Sequence, residues 1–230
     1  MEFALQAALL GAVMGSALLA VTTIYGWSLP AAPAAYGWWA AAFILEAASK
    51  GVLLSSGYPL MLDVSDVLHG LAAGLSLLIV REPDYARDQL ASWVARLAEL
   101  TRPAGCRLLV NAEPDWLAGW PVDGVHLNSA RLAACRQRPD FAWVGASAHR
   151  PEELQHAAEL GLDYALLGHV LPTASHPDAP PLGWQGLACQ LASAGPRLPV
   201  YALGGLAAAD LPAACEAGAH GVALMRGAWA

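Results

Sequence analysis

Hydrophobic and polar positions follow different patterns in the two parts of this chain. Residues 3–24 carry no charged side chain, and that run is long enough to cross a bilayer as a helix. From about residue 58 onward, short apolar runs alternate with amphipathic segments, which predicts alternating strands and helices. The pattern therefore predicts two parts: a hydrophobic helical segment over 1–57 and a folded domain over 58–230.

The front segment is interpreted as a transmembrane hairpin. A second apolar run over 36–54 follows a proline-containing turn flanked by aromatic residues, as at a membrane interface. Its charged residues, Glu46 and Lys50, are spaced to pair on one helix face. Membrane association through residues 3–54 is expected, with the remainder on the cytoplasmic side of the inner or plasma membrane, because arginines occur only after residue 80. The alternatives are a signal peptide, which would need a basic start, and a buried hairpin in a cytoplasmic protein.

Eight apolar runs in the second part are predicted to be strands: 59–63, 76–81, 107–111, 124–127, 142–147, 164–168, 200–204 and 220–225. Near-continuous apolar strands separated by helices indicate a parallel sheet covered by helices. Eight such units favour a closed TIM (β/α)8 barrel. The first unit has an alternative, since residues 64–79 can also be read as a third membrane helix, although Asp63, Asp66 and His69 argue against it.

Composition argues against a nucleic-acid partner and against disulfides or a cysteine metal site. The net charge of −7, without a basic patch, argues against nucleic acid. The four cysteines are widely separated and form no CxxC, so reduced thiols are expected rather than disulfides or a metal site.

Glycines at the ends of the last two predicted strands indicate a phosphate site. Gly204 and Gly205 end one strand, and Gly227 follows the next. Backbone N–H groups left bare by glycine bind phosphate, and (β/α)8 barrels use the loops after strands 7 and 8 for this purpose. The alternative is that these are ordinary turn glycines.

Seven motifs occur in an order and spacing that resemble the thiamine phosphate synthase and thiazole tautomerase family over about residues 58–229. They are REPD (81–84), LLVN (108–111), GVHL (124–127), GASAH (145–149), LLGHVLPTASHPDAPPLGW (166–184), YALGG (201–205) and GVALMRG (221–227). The middle and end look especially like the synthase-like domain fused behind a Nudix hydrolase in some bacteria, although no Nudix box is present. The resemblance implies a TIM barrel that binds a phosphorylated small molecule.

Departures from the family pattern bear on the reaction. The resemblance implies that the synthase joins a pyrimidine pyrophosphate to a thiazole phosphate with Mg²⁺, whereas the tautomerase moves a ring proton without metal. Of the synthase pattern QxRxK only Arg81 remains, and its two metal-ligating aspartates are replaced by Ala112 and Arg131. Because Mg²⁺ requires oxygen ligands, no metal or other cofactor is expected, and the tautomerase is favoured.

His149, in GASAH, matches the catalytic base of the tautomerase. Imidazole titrates near neutral pH and suits proton transfer, although a surface histidine is the plain alternative. Arg81 is the second catalytic candidate, and His126 is interpreted as structural. His176 stands where the synthase loop has a lysine. The resemblance and the glycine loops together assign substrate or phosphate binding to Asn111, Gly168, His169, Thr173, Ser175, His176, Gly204, Gly205, Met225, Arg226 and Gly227.

The sequence therefore predicts an enzyme acting on a thiazole phosphate, with metal-independent tautomerisation preferred over thiamine phosphate synthesis. Two alternatives stay open. One is a catalytically inactive barrel that binds a phosphorylated ligand for an attached membrane module. The other is a non-natural fusion of an apolar front and a barrel.

Overall fold

Parallel strands form the centre of this chain. The computed structural model describes residues 67, 71, 75–82, 84–173 and 178–224, together with the backbone of 42–46. Within these residues eight parallel strands close into a barrel in chain order. They are β1 (Ala42–Glu46), β2 (Leu77–Arg81), β3 (Arg107–Val110), β4 (Gly124–Leu127), β5 (Trp143–Ala148), β6 (Tyr164–Gly168), β7 (Val200–Leu203) and β8 (Gly221–Leu224).

Closure occurs at β1, which pairs with β2 on one side and with β8 on the other. Ala42 is in register with Leu77 of β2 and with Ala223 of β8. All eight carboxyl ends therefore meet at one end of the barrel, which we call the mouth. In barrels of this type the mouth is where ligands bind.

Helical segments follow the strands. They are α1 (Arg87–Thr101), a 3-10 turn (Pro114–Leu117), α2 (Ser129–Ala134), α3 (Pro151–Glu159), α4 (Gly183–Ala194), a second 3-10 turn (Ala208–Asp210) and α5 (Leu211–Glu216). The longest, α1, buries Leu90, Val94 and Leu97, which share one face because helical neighbours recur every three to four residues. That face packs against the outside of the barrel.

Alternation along the strands divides the apolar residues into two cores. One lies inside the barrel and contains Leu77, Ile79, Leu109, Tyr164, Leu166 and Ala223. The other lies between barrel and helices and includes Leu78, Val80, Leu108 and Val110. Successive strand residues point to opposite faces, so Arg81 and Asn111 continue the inner rows of Ile79 and Leu109 up to the mouth.

The alternating (β/α) architecture predicted from the sequence is confirmed, but the first strand is not where it was expected. The prediction placed it at 59–63, whereas β1 is Ala42–Glu46. These five residues lie inside the run 36–54 that was assigned to a spanning helix, so that assignment is wrong here. The physical reason is that a short, fully apolar strand has the same pattern as a buried helix. The i,i+4 pairing expected of Glu46 on a helix is lost as well, since Glu46 ends a strand.

The membrane interpretation finds no support in the described residues. None of their helices combines the length and the apolar character needed to cross a bilayer. The run 3–24 and the turn that follows it lie outside the described part of the chain, as do residues 59–63. The alternative prediction of a third membrane helix over 64–79 is wrong for its last three residues, because Leu77–Ile79 belong to β2.

Candidate active site

The mouth brings together residues at the ends of four strands, β2, β3, β5 and β6. Arg81 ends β2, and Asn111 follows β3 directly. The two are level because Val80 pairs with Val110 and the Asn111 N–H donates to the Val80 carbonyl at 2.8 Å. His149 follows β5, and Gly168 ends β6. Four residues that the sequence assigned to the site therefore lie at one end of the barrel.

Beneath this rim lies a buried hydrogen-bonded chain of three side chains. Nδ1 of His126 is 2.9 Å from the Tyr164 hydroxyl, and Nε2 is 2.8 Å from the Ser147 hydroxyl. Burial, and secondarily the charge of Arg81, lower the pKa of His126 to about 3. The imidazole is therefore neutral at physiological pH and acts as donor at one nitrogen and acceptor at the other. This agrees with the interpretation of His126 as structural.

Tyr164 reaches His126 from the lower half of the barrel interior because Gly145 leaves room for its ring. A Cβ at position 145 would overlap ring carbons of Tyr164. Burial, with smaller effects of Asp163 and Tyr201, raises the pKa of Tyr164 well above its usual value. The phenol keeps its proton and remains a hydrogen-bond partner for the histidine. The first residue of GASAH thus serves packing rather than ligand binding.

His149 lies on the exposed rim, where a contact with the end of β6 orients its ring. Nδ1 is 2.6 Å from the carbonyl oxygen of Gly168. A carbonyl oxygen only accepts hydrogen bonds, so Nδ1 carries the proton, and the lone pair of the neutral ring is on Nε2. The His149 main-chain N–H donates to the Glu153 carboxylate at 2.6 Å, which fixes the start of α3 next to it. The geometry provides a proton acceptor at Nε2.

An arginine that stands at the position of an expected metal-ligating aspartate lies at the same rim. In Arg131, Nε donates to Glu113 at 2.7 Å and Nη1 donates to the Asn111 side-chain oxygen at 2.9 Å. Its main-chain N–H is held by the Asn128 side chain at 2.8 Å. Arg131 and Glu113 therefore lie beside the candidate residue Asn111, and sequence reasoning did not include them. The available signal was an arginine at the position of an expected carboxylate.

The glycines after β7 have a structural role in addition to the predicted one. Gly204 and Gly205 have φ values of +100° and +69°. The chain after β6 crosses directly over them: Leu171 donates to the Gly204 carbonyl at 3.0 Å, and a Cβ on Gly205 would lie 2.5 Å from the Pro172 carbonyl oxygen. Among residues 84–173 and 178–224, no backbone acceptor takes the N–H of Gly204 or Gly205, so these donors suit an anion.

The remaining predicted binding residues are placed only in part. His169 contacts the Ala179 carbonyl at 3.2 Å across the loop after β6, and Thr173 is the last residue described before a gap. Other predicted members lie outside the described residues: Ser175, His176, Met225, Arg226 and Gly227. Their assignments stay predictions.

The residues present do not suit a divalent metal where the resemblance implies one. Ala112 is buried and supplies no oxygen ligand from its side chain. Arg131 brings a positive charge, and it already engages the nearby Glu113 carboxylate. Within the described residues no three His, Cys, Asp or Glu side chains cluster as metal ligands. A Mg²⁺ ion would have to displace the guanidinium to reach the Glu113 carboxylate.

The fold and the mouth together define an α/β-barrel protein that carries histidine and arginine side chains and glycine main-chain amides at the carboxyl ends of its strands. The chain belongs to the thiamine monophosphate synthase family, whose model matches residues 61–228. The match begins after the predicted membrane segment, and the comparisons support neither that segment nor a closer likeness to Nudix-fused domains.

Curated relatives agree with this family. A thiamine-phosphate synthase of Thermus thermophilus is 31% identical over 171 residues, which cover 74% of this chain and 82% of the relative. A thiamine-phosphate synthase of Gloeobacter violaceus is 31% identical over 183 residues. The aligned region covers 78% of this chain but only 52% of that protein. The chain thus spans about half the length of the latter. Among solved structures, a thiamine phosphate pyrophosphorylase from Pyrococcus furiosus aligns with a TM-score of 0.61 and 23% identity, over 80% of this chain and 85% of that one.

Proposed function

We propose that this protein is an enzyme of thiamine biosynthesis that acts on a phosphorylated thiazole, and that it moves a ring proton rather than joining two substrates. The observation that carries the proposal is the contact between His149 Nδ1 and the Gly168 carbonyl, which directs the basic nitrogen of the ring away from β6. A base of defined tautomer on the rim of the mouth is what proton transfer requires.

The chemistry assigns separate tasks to separate residues. His149 Nε2 takes a proton from the thiazole ring and returns it to a different ring atom. The Arg81 guanidinium, level with Asn111 on the inner face, stabilises negative charge that develops on the ring. The main-chain N–H groups of Gly204 and Gly205 hold the phosphate. No step in this scheme depends on a group that the described residues do not supply.

Thiamine phosphate synthesis is the second candidate because the matched relatives carry that name. It would require the chain to handle a pyrophosphate leaving group. The replacement of both expected carboxylates by Ala112 and Arg131 argues for proton transfer instead. A barrel that binds the phosphorylated ligand without turnover is the third outcome.

The test compares turnover of a thiazole phosphate in the wild type and in His149→Asn, with ring isomerisation followed by NMR. We expect rate losses of roughly 10²–10⁴-fold, the usual effect of removing a positioned general base. His220→Asn is the matched control, because His220 is an exposed residue at the opposite end of the barrel. Its activity should equal that of the wild type.

Two parallel measurements separate the candidates. Release of pyrophosphate from a pyrimidine pyrophosphate and a thiazole phosphate, dependent on Mg²⁺, would show the synthase and refute the proposal. Ligand binding by calorimetry with no turnover in either assay would show a binding protein. Near-full isomerisation by His149→Asn would refute the assignment of this residue.

A further inference from the structure

Arg131 is positioned by contacts that do little for stability. Its side chain is 26% exposed, and that of Glu113 is 54% exposed. Ion pairs this exposed contribute about 1 kcal/mol or less. Yet two acceptors in the loop after β3, the Glu113 carboxylate and the Asn111 side-chain oxygen, hold the guanidinium at 2.7 and 2.9 Å. Two such contacts fix the plane of the group, which a stability role would not need.

This arrangement leaves donors for a ligand. A guanidinium has five N–H groups, of which the two contacts use Nε–H and one on Nη1. Among the described residues, no acceptor contacts Nη2 of Arg131. The planar fork of arginine matches the oxygens of a phosphoryl group, with which it forms paired charge-assisted hydrogen bonds.

The location is distinct from the glycine loops. Arg131 is carried by α2, directly after β4, and is bonded to Asn111 after β3. In the closed ring of eight strands, β3 and β4 lie four positions from β7 and β8, on the opposite side of the mouth. Arg81 is next to Asn111 on the same side. One side of the mouth therefore carries two guanidinium groups, and the other carries the main-chain amides of Gly204 and Gly205.

We propose that Arg131, held by Glu113 and Asn111, forms a second anion subsite that binds a phosphoryl oxyanion directly, with its guanidinium in the place that a divalent metal would take. The inference rests on the proposed function in one respect, that the mouth accepts phosphorylated ligands. It is independent of His149 and of the reaction performed.

The experiment is calorimetric titration of the full chain with inorganic pyrophosphate in buffer containing EDTA. The wild type should bind without metal, and added Mg²⁺ should not strengthen binding. Arg131→Gln should weaken binding at least ~10-fold, about 1.4 kcal/mol. Arg131→Lys, which keeps the charge but loses the fork, should fall between the two. Arg136→Gln is the matched control, since Arg136 is exposed, lies five residues further along and loses the same charge.

Several results would overturn the proposal: no pyrophosphate binding in EDTA, a requirement for Mg²⁺, or equal affinity in the wild type and Arg131→Gln. A loss shared by Arg136→Gln would show a general charge effect and would also reject it. Circular dichroism of each variant checks folding, and Arg131→Lys gives a second reading if Arg131→Gln does not fold. Because turnover is not measured, a failure here is distinct from a failure of the tautomerase assignment, which His149→Asn reports.

Discussion

The buried His126 makes the stability of the barrel depend on pH in a way that can be calculated. In the folded protein its pKa is lowered to about 3, first by burial and then by the charge of Arg81. In the unfolded chain an imidazole has a pKa of about 6.5. Between these two values the unfolded state binds a proton that the folded state does not. The contribution of His126 is therefore fully present above pH 6.5 and is lost progressively as the pH falls toward 3.

The magnitude follows from the two pKa values. Each pH unit in this window lowers the free energy of unfolding by about 1.4 kcal/mol. Between pH 7 and pH 5 the loss due to His126 alone amounts to about 2 kcal/mol, because the unfolded imidazole is only partly protonated near pH 6.5. The result does not depend on the precise folded value, since any folded pKa below about 4 gives nearly the same loss over this interval.

Urea unfolding at pH 7 and pH 5 measures the effect, with His126→Gln as the comparison. The variant is expected to be less stable at pH 7, because Tyr164 and Ser147 lose hydrogen-bond geometry set by the ring. Its stability should nevertheless change less with pH than that of the wild type, by about 2 kcal/mol over the interval. All other titrating groups are common to both proteins and cancel. Identical pH dependence in the two proteins would refute the assignment of His126 as a buried neutral imidazole.

Two further predictions concern glycines. Gly145→Ala should lower the free energy of unfolding by about 1–3 kcal/mol, because the new methyl group would overlap the Tyr164 ring. The substitution should also disturb the contact between Tyr164 and His126. Unchanged stability in urea would contradict the packing described. Gly205→Ala should be less stable than Gly161→Ala, which has nearly the same φ, +68° against +69°, but no heavy atom within 4 Å of the added carbon. Equal losses in the two alanine variants would show that the crossing chain at Pro172 imposes no constraint.

Most of the barrel could be predicted because its strands carry a local signal. Strands buried on both faces are continuous apolar runs, and those after residue 75 were found within a residue or two of their observed bounds. The position of the first strand was predicted wrongly for the same reason. Ala42–Glu46 lies in an apolar region where nearly every window resembles a buried strand or helix, and only its pairing with β2 and β8 identifies it.

The site divides in a similar way between local and long-range information. The motifs around His149 and Gly168 were recognisable, but their contact joins residues 19 positions apart. Arg131 could be read only as a missing carboxylate, since its partners lie 18 and 20 residues earlier in the chain. The glycines after β7 were noticed for phosphate binding, while the crossing of Leu171 and Pro172 over them was not encoded in any local pattern.

Charge at the mouth connects the two proposals. In the arrangement that the family resemblance implies, two carboxylates and one Mg²⁺ sum to zero charge, whereas Ala112 and Arg131 at the same two positions sum to +1 without a metal. Affinity for a phosphoryl group can therefore survive the exchange, because a guanidinium binds oxyanions well. A guanidinium, however, carries one delocalised positive charge. Unlike a metal ion, it does not act as a Lewis acid on a leaving oxygen. On these proposals the substitution retains binding of a phosphorylated ligand and weakens displacement of pyrophosphate, which leaves proton transfer at His149 as the reaction that the mouth favours.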